Sequence, residues 1–263
     1  MTSSDKILAA KQGPLGILTF NNPERHNAMS LDMWRQATAE AASFASDPDV
    51  RVVILNGAGG KAFVSGADIS KFESERSTAK AVNEYGEAVE TLCETLLNYE
   101  KPTIAMIQGY CIGGGLNIAV CCDLRYCNQS ARFGIPAAKL GIGYPHTAVR
   151  RLMNLIGPQF VREMLFTARH FEAAAAARIG LVNGILEDAE IDSAVRQTAA
   201  QIADNAPLSL YAAKTAVREL LKDQSGRDLG LCDREVERCF DSDDYREGRR
   251  AFMEKRKPLF RGK

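Results

Sequence analysis

The chain has 263 residues, 46% of them hydrophobic and 25% charged, enough for one substantial core or a core with a smaller appendage. Thirty-three basic residues balance thirty-three acidic ones, so no strong net field draws the chain to nucleic acid or a membrane surface. Its seven cysteines are an odd number without a C-x-x-C pair and read as free thiols of a reducing compartment; three widely spaced histidines (His26, His146, His170) argue against a zinc site.

The opening "MTSSDKILAAKQGPLGILTF" has no long apolar segment after a positive region, so no secretory signal is expected. No run approaches the roughly 20 apolar residues of a membrane span, and a cytoplasmic location follows. "LGILTFNN" (15–22) is a β-rich run ending in turn residues, and "NNPERHNAMS" is a loop. A helix follows with Ser30 as N-cap and Met33, Trp34, Ala37 and Ala41 on its inner face. "VRVVILNGAGG" is a buried strand stopped by glycine. "KAFVSGADISKF" (61–72) gives a short strand and a turn at Gly66, and 73–100 is charged and helical. "KPTIAMIQGYC" is a further buried strand, followed by a glycine run and a helix. "LRYCNQSARFG" reads as two short strands with a polar turn. "GPQFVREMLFTARHF" and "TAAQIADNAPLSLYAAKTAVRELLKD" are amphipathic helices, and the last third is almost wholly helical. The C-terminal "EKRKPLFRGK" reads as a solvated basic tail. Strands alternating with helices to about residue 190 argue an α/β core with a helical C-terminal part; a doubly wound sheet and a stack of ββα units both fit this spacing.

The stretch "GYCIGGGLNIAVCCD" (109–123) places Gly113, Gly114 and Gly115 between two apolar elements. A glycine turn feeding a helix exposes unpartnered N–H groups at the positive end of the helix dipole, a cradle for a phosphate or an oxyanion. Close helix–strand packing explains the same glycines. The text matches neither G-x-x-x-x-G-K-[ST] nor G-x-G-x-x-G, so nucleotide-phosphate readings lose. "FVSGADI" repeats the design of a strand, a glycine and a small residue; two such N–H groups on one carbonyl oxygen would make an oxyanion hole.

"NNPERHNAMS", "KAFVSGADI", "KPTIAMIQGYCIGGG" and "ARFGIPAAKLGIGY", in this order and at these distances, resemble the enoyl-CoA hydratase/isomerase (crotonase) family over roughly residues 6–260. The resemblance implies an α/β fold, a spiral of ββα units over 1–200, and a C-terminal helical trimerisation region over 201–263. It also implies a homotrimer or dimer of trimers. The implied substrate is an acyl-CoA thioester, with coenzyme A as part of the substrate and no separate cofactor expected. The thioester oxygen would rest on the N–H groups of Ala67 and Gly114. Arg25, Ala67, Asp68, Ile69, Lys71, Phe252 and Lys255 are the positions implied for the coenzyme. Asp68 also fits an Asx turn or helix cap.

The family's hydratases carry two catalytic glutamates, in forms like G-G-G-x-E and F-G-x-P-E. Here "GGGLN" and "FGIPA" put Asn117 and Ala137 at those positions. Asn117 can orient a water but cannot exchange a proton near neutral pH, and Ala137 can do neither. Tyr144 and His146, in "LGIGYPHTAV", lie just beyond, in the segment that lines the acyl pocket of relatives. The spacing "LGIGY" and the end "FDSDDYREGRRAFMEKRKPLF" are similar to crotonase-type methylmalonyl-CoA decarboxylases, although these carry a histidine where this chain has Ala67. Tyr144 also fits a half-buried ring with a wet hydroxyl, and His146 a wall or surface residue. Glu73, Glu75, Glu84 and Glu87 could supply a carboxylate from a new position or simply be solvated. Three functions follow: an atypical hydratase/isomerase-like lyase, a decarboxylase, and a CoA-binding protein with little catalysis.

Overall fold

The computed structural model describes residues 6–71 and 77–263; Glu73 and Glu75 lie outside the described residues. The chain opens with a hairpin of β1 (Ile7–Gln12) and β2 (Leu15–Phe20), turned at Gly13 with φ +57°. Only the second strand is expected from the sequence. The first is an edge strand that buries Ile7 alone, so it carries no apolar alternation.

Helix α1 (Leu31–Ser46) starts where expected: the Ser30 side chain accepts from the Met33 amide, and Met33, Trp34, Ala37, Ala41 and Phe44 form the buried face. Then come β3 (Val52–Gly57), β4 (Ala62–Val64) and α2 (Ala79–Leu97), the last capped by Thr78. Next are β5 (Thr103–Ile107), β6 (Tyr110–Ile112) and α3 (Gly114–Cys121). The following unit is β7 (Leu124–Asn128), β8 (Arg132–Gly134) and α4 (His146–Thr167). After β9 (Phe171–Glu172), α5 (Ala173–Arg178) and β10 (Gly184–Leu186), the chain is helical: α6 (Ile191–Ala203), α7 (Pro207–Leu220), α8 (Leu229–Asp241) and α9 (Asp243–Met253).

One sheet has the order β1-β2-β3-β5-β7-β10, and a smaller one the order β4-β6-β8-β9. The pairs β3–β4, β5–β6 and β7–β8 each send one strand into each sheet before a helix follows. Of the two arrangements that the spacing allowed, the chain adopts the spiral of ββα turns. Along β3 the side chains alternate between two cores. Val52 and Ile54 face Ile191, Val195 and Ala199 of α6; Val53 and Leu55 face the main core with Phe20, Trp34 and Phe63. A strand covered on both faces needs the continuous apolar run that the sequence shows.

Two helices differ from expectation. The segment 198–223 is not one helix: α6 stops at Ala203, Ala206 is extended, and Pro207 opens α7. Proline disfavours a helical residue before it and is suited to the first helical position. The helix expected from Gly157 is present from Pro158, but a helical stretch from His146, not expected from the sequence, leads into it across a kink at Gly157, whose backbone is φ +71°, ψ 165°.

Candidate active site

β4, β6 and β8 are parallel neighbours, with Val64 opposite Cys111 and Ile112 opposite Gly134. Their C-terminal ends share one sheet edge, so the segments after them gather there: 65–68, 113–114 and 135–137. Three motifs far apart in sequence are joined by topology alone.

The turn after β4 is held by Met29. Its amide donates to the Gly66 carbonyl at 2.8 Å, and its carbonyl accepts from the Asp68 amide at 2.9 Å. Extended backbone alternates its polar groups, so the Ala67 N–H points away from Met29. No described residue accepts from it. Gly114 is the first residue of α3, where an N–H has no partner inside the helix. The preceding amide, of Gly113, is taken by Gly134 at 2.8 Å; that of Gly114 has no acceptor among the described residues.

The two turns touch: a methyl group on Gly114 would stand 4.0 Å from Gly66 Cα and 3.1 Å from Trp34 Cζ2. Trp34 thus floors the Gly114 backbone. Its Nε1 donates to the Tyr85 hydroxyl at 2.7 Å, and Tyr85 donates to the Met29 carbonyl at 3.0 Å. One buried chain therefore braces both turns. The role of Trp34 is not readable from the sequence beyond its place on the inner face of α1.

Asn117 is buried within α3, and its Oδ1 lies 3.4 Å from Arg151 Nη1. Arg151 also donates to both oxygens of Glu90, to Oε2 at 3.0 Å. Burial, the largest single influence, works against the Arg151 charge, but the hydrogen bonds with Glu90 and the nearby Cys121, Cys93 and Glu90 groups together outweigh it and hold the guanidinium more firmly charged than usual. Ala137 lies in a short 3-10 turn (Pro136–Leu140), and together with Ala67 and Tyr144 it packs against the main core. The Tyr144 hydroxyl donates to the Gly113 carbonyl at 3.4 Å, and desolvation raises its phenol above the ordinary range.

Other candidates have different surroundings. Asp68 is buried and accepts from the Ser70 amide at 3.1 Å and the Ser70 hydroxyl at 2.7 Å, an Asx-type cap of the 3-10 turn Ile69–Lys71. Burial alone would raise its carboxyl; the Ser70 bonds and the Arg25 charge hold it below the usual value. Arg25 bonds Ser70 Oγ at 2.6 Å and sits 3.4 Å from Asp68 Oδ1. Ile69 is exposed and Lys71 half-buried. His146 is exposed at the start of α4. Phe252 and Lys255 are exposed; Phe252 lines a groove with Phe240, Tyr245 and Met253 that includes none of the motif residues. Glu84 pairs with Arg35 at the surface, and Glu87 is exposed.

Sequence reasoning missed Glu90 and Arg151. The signal was the helical face: Arg151 lies three residues after buried Ala148 and one before buried Leu152. It was hidden because the helix was expected to begin only at Gly157. Among the described residues no group of His, Cys, Asp and Glu could hold a metal ion, and no helix is long and apolar enough to cross a membrane.

A spiral of ββα turns with two amides, unpartnered among the described residues, at one end of its smaller sheet is the architecture of a crotonase-like enzyme. Residues 10–263 match the family described as enoyl-CoA hydratase/isomerase. The chain is 33% identical over 253 residues to the short-chain-enoyl-CoA hydratase of Clostridium acetobutylicum, covering 96% of each. It is 32% identical to the crotonyl-CoA hydratase of Syntrophomonas wolfei, over 97% of this chain and 98% of that one. A crystal structure of an enoyl-CoA hydratase/carnithine racemase from Magnetospirillum magneticum superposes with TM-score 0.91 at 34% identity, covering 99% and 97%. The protein belongs to the enoyl-CoA hydratase/isomerase family, whose members act on acyl-CoA thioesters.

Proposed function

We propose that the protein is a lyase-type acyl-CoA enzyme that stabilises a thioester enolate on the amides of Ala67 and Gly114, with no carboxylate at positions 117 and 137. The observation that carries this reading is the pair of N–H groups, without acceptors among the described residues, on two neighbouring, braced turns. An enolate oxygen bears charge that the ground-state thioester lacks, so fixed donors favour the transition state; one such donor is worth on the order of 3 kcal/mol. Coenzyme A arrives as part of the substrate. Glu90, joined to Asn117 through Arg151, does not replace the lost base: both its oxygens are engaged by the guanidinium.

Tyr144 favours a second reading, decarboxylation of a malonyl-type acyl-CoA. Its half-buried hydroxyl stands beside the start of α3, and desolvation favours its protonated form. In that reaction the bond from the α-carbon to the carboxylate breaks. Its electron pair becomes the enolate, CO₂ leaves, and a proton is delivered afterwards, so no general base is required.

A panel of acyl-CoAs including crotonyl-CoA and methylmalonyl-CoA, scored by mass for gain of water or loss of CO₂, tests the proposal. Crotonyl-CoA hydration is expected far below that of a two-glutamate relative, since each acid–base group contributes roughly 10²–10⁴-fold. Introducing Ala137→Glu with Asn117→Glu is expected to raise it. Rapid hydration by the unmodified protein would overturn the reading. Binding without turnover on any member would make it a CoA-binding protein.

A further inference from the structure

The two proposed donors sit on separate turns, and donors that act by preorganisation need their separation fixed before a ligand arrives. Val64, the last residue of β4, pairs with Cys111 of β6. Beyond that pair, no backbone hydrogen bond among the described residues joins 65–68 to 113–114. Both turns rest instead on the start of α1. Met29 forms a parallel bridge with Ala67 and so holds the first turn by its backbone. Trp34 holds the second by its ring: a methyl group on Gly114 would stand 3.1 Å from Cζ2 and 3.2 Å from Cη2. Met29 and Trp34 flank Ser30, whose carbonyl accepts the Trp34 amide at 3.1 Å.

Tyr85, from α2, ties the two supports to each other. Its hydroxyl accepts from Trp34 Nε1 at 2.7 Å and donates at 3.0 Å to the Met29 carbonyl, which also accepts the Asp68 amide at 2.9 Å. All three residues are buried, and the Trp34 and Tyr85 rings meet edge-on with centroids 6.4 Å apart. An aliphatic or phenyl side chain at position 34 would fill much of the same space but would have no donor to fix the plane of its ring. With Trp34 only 1% exposed, loss of the Tyr85 hydroxyl leaves the indole N–H dry and unpaired or makes the ring turn.

We propose that Trp34 and Tyr85 are positioning residues that set the separation of the Ala67 and Gly114 amides, so that the pair fits one carbonyl oxygen. This rests on the acyl-CoA reading above and names the side chains that tune its site. Tyr85 acts through Met29 on the first turn and through Trp34 on the second. The effect is therefore confined to a ligand that carries the oxygen. A ligand without it loses only what any loosening of the fold would cost.

The test is calorimetric titration with butyryl-CoA and with S-butyl-CoA, the thioether in which CH₂ replaces the carbonyl. The ratio of the two affinities reads the carbonyl contact alone. The unmodified protein is expected to favour the thioester by about tenfold. Tyr85→Phe and Trp34→Phe are each expected to cut that ratio by roughly threefold or more, and the double variant little further, because both changes act on one link. Tyr99→Phe is the control: its buried hydroxyl also donates to a carbonyl of α1, that of Ala41 at 2.5 Å, further along the helix. It is expected to lower the melting temperature and leave the ratio in place. A ratio unchanged by both Tyr85→Phe and Trp34→Phe, or lowered as much by Tyr99→Phe, overturns the inference and leaves the acyl-CoA reading standing. Should neither variant fold, the unmodified protein gives a second readout, because Trp34 is its sole tryptophan. Its indole N–H resonance is expected to move further with butyryl-CoA than with S-butyl-CoA, and equal movement overturns the inference. A native ratio of one, or no binding of either ligand, overturns the reading of the two amides as an oxyanion site and this inference with it.

Discussion

Gly113 turns the chain into α3 with φ +54° and ψ −112°, a region that side chains rarely enter. Gly115 meets a different demand, since a methyl group there would stand 2.1 Å from the Val64 carbonyl oxygen, inside the backbone of β4. Gly114 keeps an ordinary backbone angle, and its methyl would press on the Trp34 ring, at 3.1 Å, while lying in ordinary contact with Gly66 Cα at 4.0 Å. The triplet therefore combines a turn, a close packing contact and a bare amide. Alanine substitutions should separate these. Gly115→Ala is expected to lower the melting temperature most, because β4 must move. Gly113→Ala should cost about 1–3 kcal/mol in strain. Gly114→Ala is expected to cost least, because a ring edge yields more easily than backbone. Differential scanning calorimetry gives the order, and a Gly115→Ala protein as stable as Gly114→Ala would refute the packing role. The sequence announces the triplet but cannot divide its labour, because the close approach to Val64 exists only once β4 pairs with β6. Asn117 was legible as the polar exception in an apolar helix. The direction of its amide was not, because Arg151 reaches it across 34 residues.

Strands buried on both faces were the easiest elements to read, since β3 and β5 need unbroken apolar runs and have them. Helix ends were harder. Apolar periodicity runs across Ala206 and Pro207 without interruption, although a pre-proline residue resists the helical region and α7 must restart there. Helix α4 shows the converse case, two helical stretches joined end to end across a kink. Gly157 adopts φ +71°, ψ 165°, and Pro158 begins the second half. A methyl group on Gly157 would meet nothing within 4 Å, so Gly157→Ala probes backbone conformation alone. It is expected to destabilise the protein by about 1–3 kcal/mol with no packing defect. Urea unfolding measures this as a lower midpoint at constant slope. An unchanged midpoint would mean that the angle carries no strain for alanine and that the bend is set by tertiary contacts.

At the scale of the molecule, the C-terminal helices are unlike the rest. α8 buries no residue within the chain, and Phe252 and Met253 of α9 are 82% and 80% exposed. Phe240, Leu220 and Leu221 are also more than half exposed. Leu208 and Ala251 are buried against their own chain, and Leu210 is half-buried. Val236, Phe240, Phe252 and Met253 line a groove of about 850 Å³ between α7, α8 and α9. The region is nevertheless tied to the core: Lys214 bonds Asp123 at 2.7 Å, and the backbone oxygen of Phe260 accepts from Arg51. It is thus a fixed apolar face. Covering one such side chain is worth roughly 1.5–3 kcal/mol, so a few of them per contact suffice for association at micromolar concentration. With the family's trimer as the expected partner arrangement, the protein should sediment as a trimer or a dimer of trimers. Phe240→Glu combined with Phe252→Glu puts two carboxylates on that face and removes no intrachain core. The doubly substituted chain is expected to sediment at its own mass of 28.7 kDa with its helical content preserved. A monomeric native protein, or a double variant that associates as the native one does, would show that this face is not where the subunits meet.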